Sequence, residues 1–272
     1  MTAALTTVDI IAGYDDRTVL AGLSVEVPPG RFTVVIGPNA CGKSTLLRTL
    51  ARLLRPRAGT VLLDGADLHR LPPREVATRL GVLPQSPLVP EGVTVAELVA
   101  RGRSPYQRWW RQWSSADARA VETALRLADV ADLAGRPVEA LSGGQRQRVW
   151  IAMALAQDTE VLLLDEPTTY LDLAHQIEVL DLLRRLQRDG RTVVAVLHDL
   201  NQAARYADHV IAMRDGAVVA AGPPGEILTA ALVRDVFGLD CVVVPCPVTG
   251  APLVVPGAAR PQPVVDEGVI SA

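Results

Sequence analysis

Residues 37–45 combine glycines, a lysine and hydroxyl side chains in a pattern suited to phosphate chemistry. Glycines let a backbone wrap closely around phosphate groups, and the N–H groups that open a following helix point at negative charge. Lys43 would bridge the β- and γ-phosphates of a nucleotide, and the Ser44 hydroxyl would ligate Mg²⁺. The segment fits the pattern G-x-x-x-x-G-K-[ST] and consists of Gly37, Pro38, Asn39, Ala40, Cys41, Gly42, Lys43, Ser44 and Thr45.

Two carboxylates, Asp165 and Glu166, follow the apolar run Val161–Leu164. Four apolar residues in a row predict a strand buried on both faces, and open α/β sheets bind ligands at the carboxyl ends of such strands. Asp165 would hold the Mg²⁺ shell, whereas Glu166, one residue farther out, could polarise an attacking water as general base. An acid at a strand end is often only a helix cap. Together with Lys43, however, this pair predicts a site that hydrolyses a nucleotide.

A second anion-binding segment lies at residues 141–145, which read LSGGQ. Ser142 would cap a helix over residues 145–157, and Gly143 and Gly144 would again open backbone amides to an anion. One nucleotide is already served by the first segment, so the economical interpretation is that the second contacts a nucleotide bound by another copy of the chain. A simple kinase or GTPase with a phosphate-binding loop would leave this pentapeptide without a task.

These three segments resemble those of the nucleotide-binding subunits of ABC transporters, and the resemblance covers about residues 5–240. Segment 37–45 is similar to the family's Walker A motif, segment 161–166 to its Walker B motif, and LSGGQ is its signature, with Gln145 as the last residue. Ala40 stands where glycine is usual in the family. A small side chain should fit there, so ATP binding is still expected.

The resemblance implies further site residues. Tyr14 would stack on adenine. Gln85 would ligate Mg²⁺, sense both this ion and the γ-phosphate, and couple the site to a permease. Asp172 matches the D-loop, and His198 matches the switch histidine that contacts the γ-phosphate. The resemblance also implies a head-to-tail homodimer with two ATP molecules at its interface, transmembrane permease subunits and, indirectly, a substrate-binding protein.

The pattern of apolar runs predicts an α/β fold. It indicates a parallel sheet with helices packed on it, an N-terminal antiparallel β subdomain and an inserted α-helical subdomain at about 87–140. The resemblance implies that this arrangement is the P-loop NTPase core of an ABC nucleotide-binding domain. We expect one ABC ATPase domain over 1–256 and a loose tail over 257–272. Short strands are predicted at 8–12, 19–20, 23–27, 31–36, 161–164 and 192–197, and helices at 43–54, 95–101, 116–128, 173–188, 200–207 and about 223–228.

Composition limits the cellular setting. A formal net charge of −3 in 272 residues gives no basic footprint, which argues against a nucleic-acid partner. The three cysteines are too few for a disulfide framework, and no secretory signal is recognisable. The long uncharged run 241–259 contains prolines and glycines that favour strands and turns over a spanning helix. We therefore expect a cytoplasmic chain that reaches the membrane face only through a partner.

Some segments narrow the subfamily. Residues 102–106, 171–176, 198–208 and 243–255 look like those of ATPases that import iron(III)–siderophore, haem and cobalamin. Siderophore import is the preferred prediction, with haem or cobalamin as the alternative. A non-transport ABC protein, such as a DNA-repair or translation factor, would need long coiled coils or tandem cassettes, whereas this chain has one cassette and no heptad run.

Two further features allow two interpretations each. Cys41, beside the phosphates, either packs as a small side chain or acts as a redox switch. Trp109, Trp110 and Trp113 form either the core of the helical insert or a ledge on which a permease helix docks, since aromatic residues are enriched at interfaces.

Overall fold

The computed structural model describes residues 5–85, 91–107 and 113–257. The strands are β1 (Leu5–Tyr14), β2 (Arg17–Val27), β3 (Phe32–Ile36), β4 (Ala58–Leu63), β5 (Ala66–Asp67), β6 (Leu80–Leu83), β7 (Val161–Leu164), β8 (Thr192–Val196), β9 (His209–Arg214), β10 (Ala217–Gly222), β11 (Cys241–Pro245) and β12 (Pro252–Pro256). The helices are α1 (Lys43–Leu50), α2 (Pro73–Arg79), α3 (Val95–Ala100), α4 (Ser115–Leu127), α5 (Gly143–Ala156), α6 (Leu173–Arg188), α7 (Leu200–Tyr206), α8 (Pro224–Ile227) and α9 (Ala230–Phe237).

The central sheet has the strand order β10-β9-β3-β8-β7-β6 within the described ranges. All neighbouring pairs from β9 to β6 are parallel, and only β10 runs antiparallel at one edge. Strands β3, β7 and β8 are buried at every position, as their continuous apolar sequences predict. Because β3, β8 and β7 are adjacent and parallel, the three loops that follow them emerge side by side at one edge of the sheet.

A second sheet has the order β2-β1-β4-β5 and packs over α1 through a shared apolar core. The predicted runs 19–20 and 23–27 form one strand, not two. Gly22 explains the difference: Ile10 pairs with Leu23 and Ile11 with Ala21, so Gly22 is the extra residue of a β-bulge. Its φ of 75° suits glycine, and the strand bends there without ending.

The helical insert consists of α3, α4 and the 3₁₀ segment Arg101–Tyr106 between them, packed on α5. A buried ion pair holds these pieces together, because Arg103 Nε lies 2.9 Å from Asp117 Oδ1. Arg103 Nη1 also donates to the carbonyl of Ala156 at the end of α5, at 2.8 Å. Removing one partner of such a pair would leave a buried charge uncompensated. The bond from Arg103 to Ala156 fixes the insert on the helix that begins with the LSGGQ motif. The domain limits at 87, 140 and 256 stay predictions.

Helix α1 ends four residues before the predicted limit at 54. Arg52 adopts a left-handed φ of 60°, and the N–H of Leu53 donates to the carbonyl of Arg48, which closes the helix end as in a Schellman motif. Sequence reasoning also missed β4, β6 and α9. Helix α9 has clear signals in retrospect: Thr229 caps its start and Gly238, with a φ of 66°, follows its last residue.

The described part of the uncharged run 241–259 forms the hairpin β11–β12. Asn201 on α7 anchors it through two hydrogen bonds to the backbone of Val254, at 2.7 and 3.2 Å. No helix within the described ranges is long and apolar enough to cross a membrane. Trp113 is half exposed, while Trp109, Trp110 and the tail from residue 258 lie outside the described residues, so the two interpretations of the tryptophan cluster both stand.

Candidate nucleotide-binding and hydrolysis site

The loop after β3 is fixed by close packing at its two glycines. A Cβ on Gly37 would lie 2.3 Å from the carbonyl oxygen of Met213, and one on Gly42 would lie 2.9 Å from a methyl group of Leu20. Gly42 also has a φ of 104°, which other residues rarely adopt. Packing against β9 and β2 therefore sets the path of the loop before any ligand arrives.

Ala40 is the residue at which this loop departs from the usual family sequence, and its backbone shows the cost. It adopts a φ of 62°, in the left-handed region that costs an L-residue about 1–2 kcal/mol. The side chain is exposed and lines the cleft, so no clash prevents the conformation. The sequence-based expectation that a small residue fits here agrees with this geometry.

Lys43 supplies the positive charge of the loop. Its side chain is buried, and its Nζ donates to the carbonyls of Gly37 at 2.9 Å and Pro38 at 2.8 Å. The ammonium thus lies inside the ring of loop residues, next to the first N–H groups of α1, which have no partner within that helix. Phosphate groups bound on this loop would meet a fixed cation and a helix N-terminus together.

Asp165 at the end of β7 faces Ser44 at the start of α1, and the Ser44 hydroxyl donates to Oδ1 at 3.0 Å. Burial raises the pKa of Asp165 above its usual range and the neighbouring Glu166 charge raises it further, although the Ser44 hydrogen bond opposes the change. A buried carboxylate of this kind is stabilised by a cation. Hydroxyl and carboxylate oxygens are ligands that Mg²⁺ takes, so Ser44 and Asp165 fit the predicted metal site.

Glu166 makes three contacts that hold its carboxylate in the cleft. Gln85 Nε2 donates to it at 2.8 Å, Thr169 Oγ1 donates at 3.1 Å, and Nε2 of His198 lies 2.7 Å from its Oε1. Its backbone has a φ of 53°, another left-handed conformation of the kind that persists where surrounding structure imposes it. The structure therefore brings Glu166, Gln85 and His198 together, and it places the Gln85 amide on Glu166 and not on the Ser44–Asp165 pair.

Tyr14 lies in the same cleft, which has a volume of about 940 Å³. Its ring is 40% exposed and its hydroxyl accepts a hydrogen bond from Arg48 Nη1 at 3.0 Å. An exposed ring held by its polar end offers a face for stacking. The cleft is lined by Tyr14, Asp15, Asp16, Arg17, Val19, Asn39, Ala40, Gly42, Lys43, Ser44, Thr45, Gln85, Glu166 and His198.

The signature residues lie elsewhere, since none of Ser142 to Gln145 lines this cleft in the described structure. Ser142 caps α5, because its hydroxyl accepts from the N–H of Gln145 at 3.2 Å while the Gln145 amide oxygen accepts from the N–H of Ser142 at 3.1 Å. Ser142 and Gly143 are exposed. A helix start that carries free amides therefore faces outward, away from the chain's own loop.

Asp172 caps α6 and is also exposed. The N–H of His175 donates to its Oδ1 at 2.9 Å, and this bond holds the pKa of Asp172 below its usual range. Tyr170 and Leu173 beside it are 86% and 70% exposed, which is unusual for large apolar side chains. Asp172 thus stands on a protruding loop outside the cleft.

The ABC transporter family profile matches residues 20–169. The chain is 56% identical to the achromobactin transport ATP-binding protein of Dickeya dadantii, over 95% of this chain and 97% of that one. It is 54% identical to the ferric enterobactin transport ATP-binding protein of Escherichia coli, over 90% of each, and 46% identical to a hemin import ATP-binding protein of Rhodococcus jostii, over 88% and 82%.

The chain belongs to the ABC transporter family. Solved structures agree with this assignment. A chain of an ABC transporter in an inward-facing conformation matches with a TM-score of 0.80 and 30% identity, over 94% of this chain and 98% of that one. A dimeric bacterial ABC transporter cassette matches with a TM-score of 0.72 and 28% identity, over 80% and 98%. The predicted ABC nucleotide-binding fold is confirmed.

A hydrogen-bonded pair of glutamines joins two loops of this ABC ATPase. Gln202 Nε2 on α7 donates to Gln176 Oε1 on α6 at 2.6 Å, and Gln176 Nε2 donates to the carbonyl of Leu171 at 3.0 Å. The loop before α7 carries His198, and the loop before α6 carries Asp172. The glutamine pair therefore connects the cleft to the protruding loop. Sequence reasoning identified neither glutamine's role, nor that of Thr169, because only the fold brings their partners within reach.

Cys41 is buried in the Walker A loop. Burial raises the pKa of its thiol, and this effect outweighs the opposing influence of Lys43. A buried neutral thiol is a poor nucleophile, so the geometry favours the packing interpretation of Cys41 over a redox switch.

Replacing Ala40 with glycine should raise the free energy of unfolding by about 0.5–1 kcal/mol, because glycine adopts a φ of 62° without strain while its greater freedom in the unfolded chain offsets part of the gain. Denaturant unfolding measures the change. Ala118→Gly, at an exposed position in the first turn of α4, is the matched control and should lower stability by about 0.5–1 kcal/mol. Equal losses at both positions would contradict the strain at Ala40.

Proposed function

We propose that this ABC ATPase hydrolyses ATP in the cleft that contains Lys43, Asp165 and Glu166, and that it energises import of iron(III)–siderophore complexes through a separate membrane permease. The observation that carries the hydrolysis site is the convergence of a phosphate-binding loop, a buried Ser44–Asp165 pair and the Glu166 carboxylate at one sheet edge. The alternatives are the same motor role in haem or cobalamin import and, from another class, a non-transport ABC ATPase.

The residues of the cleft have separate roles in ATP binding and hydrolysis. The 37–45 backbone and Lys43 bind the β- and γ-phosphates, and Tyr14 supports the adenine. Ser44 and Asp165 would hold Mg²⁺, with Gln85 as a further ligand once its amide leaves Glu166, and the ion would neutralise charge on the phosphate oxygens. Glu166 accepts the proton of the attacking water, and this requires its carboxylate to exchange a present partner for that water.

Gln85 and His198 occupy the positions that make this exchange possible. Both contact the Glu166 carboxylate directly, at 2.8 and 2.7 Å, and both lie in the cleft. A γ-phosphate offers them a more strongly charged acceptor, so ATP binding would draw them from the carboxylate and free it for water. Before ATP binds, Glu166 would stay bonded to Gln85 and His198 and would not be available to water.

The second half of each ATP site comes from another copy of the chain. The outward-facing helix start at Ser142–Gly144 and the protruding Asp172 loop support a head-to-tail homodimer with two ATP molecules at its interface. Gly143 adds a specific argument, because a Cβ there would meet nothing within 4 Å in its own chain. Its own fold does not require glycine at that position, whereas close approach to a partner's phosphate would.

Attachment to the membrane goes through partner proteins at the cytoplasmic face. Gln85 immediately precedes the helical insert, so movement of its side chain between Glu166 and a bound nucleotide can be passed to the insert. We propose that the permease docks near Gln85 and on the helical insert, and that a substrate-binding protein delivers cargo to that permease. No role for nucleic acid follows from the charge of −3.

The cargo assignment rests on similarity alone. The relatives named for achromobactin and ferric enterobactin transport are 56% and 54% identical to the chain, and the hemin import protein of Rhodococcus jostii is 46% identical. This order favours a ferric siderophore over haem. Cargo passes through the permease, so none of the cleft residues would select it.

Glu166→Gln should keep ATP affinity within about twofold yet lower turnover by about 10²–10⁴, the usual contribution of a general base. Steady-state phosphate release and nucleotide binding measure the two quantities. Glu160→Gln, an exposed position just before the same strand, is the matched control and should leave turnover unchanged. Hydrolysis by Glu166→Gln at the wild-type rate would show that another group activates the water.

Ser142→Arg should bind ATP but not hydrolyse it, because a bulky side chain would obstruct the partner's γ-phosphate. Lys43→Ala should bind no ATP productively. Mixing the two inactive chains should restore partial ATPase activity, since such a heterodimer has one site with both lesions and one with neither. Thr229→Arg, which removes an exposed cap from α9, controls for cap loss and should stay active. Full inactivity in a verified heterodimer would contradict the composite site.

Deleting the gene should abolish uptake of a radiolabelled ferric siderophore and spare haem and cobalamin uptake. Complementation with the wild-type gene should restore uptake, while the Lys43→Ala gene should not, because transport needs ATP binding. Normal siderophore uptake in a strain without a redundant ATPase, together with lost haem or cobalamin uptake, would overturn the cargo and leave the ATPase assignment intact. Unchanged uptake of all three would favour a non-transport role.

A further inference from the structure

A groove of about 910 Å³ lies between the helical insert and the core, apart from the nucleotide cleft, with which it shares no lining residue. Helices α4 and α5 form one wall, and α6 and α7 form the other. We call it the arginine groove. Its lining residues are Arg126, Leu127, Ala128, Asp129, Arg148, Ile151, Glu178, Val179, Asp181, Leu182, Arg184, Arg185, Arg188, Arg205, Tyr206 and Thr249.

The lining carries six arginines and three carboxylates, an excess of three positive charges on a chain whose net charge is −3. Part of this charge is paired. Arg148 bonds to Asp129 at 3.2 Å and to Glu178, and Arg184 lies 2.7 Å from Asp208. These ion pairs account for the two arginines with the most buried side chains.

Four guanidinium groups remain, those of Arg126, Arg185, Arg188 and Arg205. Within the described residues none of them has a carboxylate within the 4.0 Å limit of an ion pair. The third acid of the lining, Asp181, accepts a hydrogen bond from the Tyr206 hydroxyl at 2.9 Å. The unpaired charge therefore comes from both walls of the groove.

Helix ends account for part of this charge. All four arginines lie in the last turn of α4, α6 or α7, where a cation complements the helix dipole. Once Asp208, the partner of Arg184, is counted, the excess is two positive charges, and three helix ends together present about 1.5 negative charges. A small net positive charge is left, and no helix end supplies the paired acceptor oxygens that a guanidinium group can bind.

We propose that the arginine groove binds a small anion that carries two or more phosphate groups. Guanidinium groups recognise phosphate oxygens with paired hydrogen bonds. The volume lies in the range of small-molecule sites, and Ile151, Val179 and Leu182 provide a buried apolar floor. A flat membrane surface fits less well, because the four unpaired guanidinium groups lie on both walls of the groove and not on one face.

Such a ligand would contact two parts of the ATPase at once. Arg126 belongs to the insert, whereas Arg185, Arg188 and Arg205 belong to the core. The ion pair from Arg148 on α5 to Glu178 on α6 already spans the same gap. An anion held from both walls would strengthen this link next to the helix that carries the signature motif.

The test uses tripolyphosphate as the probe and Lys43→Ala as the background, so that the Walker A loop does not retain it. Calorimetric titration should detect binding at one site per chain. Adding Arg185→Gln and Arg188→Gln should weaken it by about tenfold or more, because two charge-assisted contacts are lost. Arg70→Gln with Arg119→Gln, two exposed arginines outside the groove, is the matched control and should leave affinity unchanged.

Binding measurements with other phosphate compounds identify the source of the phosphate. Inorganic phosphate should bind more weakly than tripolyphosphate, and ATP or GTP that bound more tightly would assign the ligand to nucleotides. Failure of tripolyphosphate to bind, or equal binding in the groove and control variants, would overturn the proposal. Groove-dependent binding to phosphatidylglycerol vesicles without tripolyphosphate binding would overturn it in favour of a lipid headgroup. Thermal melting of each variant verifies folding, and none of these outcomes bears on the nucleotide cleft.

Discussion

The adjacency of β3, β8 and β7 in one parallel sheet is the constraint on which the rest of this site depends. Each strand ends with a different chemical group, namely the phosphate-binding loop, His198 and the Asp165–Glu166 pair. Parallel neighbours lie about 5 Å apart, so the side chains that follow them meet without any long connection. The contacts Ser44–Asp165 and His198–Glu166 are direct consequences. A change in strand order would separate these groups even if every motif were kept.

The site carries backbone strain as well as charge. Ala40, Glu166 and Tyr170 all adopt left-handed φ values, between 53° and 66°, within the two loops that follow β3 and β7. Conformations of this kind cost free energy and persist when the surrounding packing imposes them. Here the packing is supplied by buried strands and by Gly37 and Gly42, which admit no side chain. The rigid sheet thus stabilises loops that would relax in isolation, and it holds Lys43 and Glu166 in place before nucleotide enters.

Sequence reasoning identified the parts of the site that are encoded in contiguous segments. The loop at 37–45, the strand Val161–Leu164 with its two acids, and helix Leu173–Arg188 appear in the structure at the predicted positions. What it could not reach depends on tertiary contacts. Thr169, Gln176 and Gln202 are ordinary polar residues until the fold brings their partners within 3.1 Å. The bulge at Gly22 and the early end of α1 likewise depend on local backbone geometry that apolar spacing does not encode.

The chain holds two anion sites, and each of them is incomplete. The first has a cation, a metal-ligand pair and a base, but within the described residues the signature segment does not line its cleft. The second, at Ser142–Gly144, has a capped helix start with outward amides but no cation among its own residues. In the proposed head-to-tail homodimer, a nucleotide bound at the first site of one chain would also meet the helix start of the other, so each half would supply contacts that the other does not have.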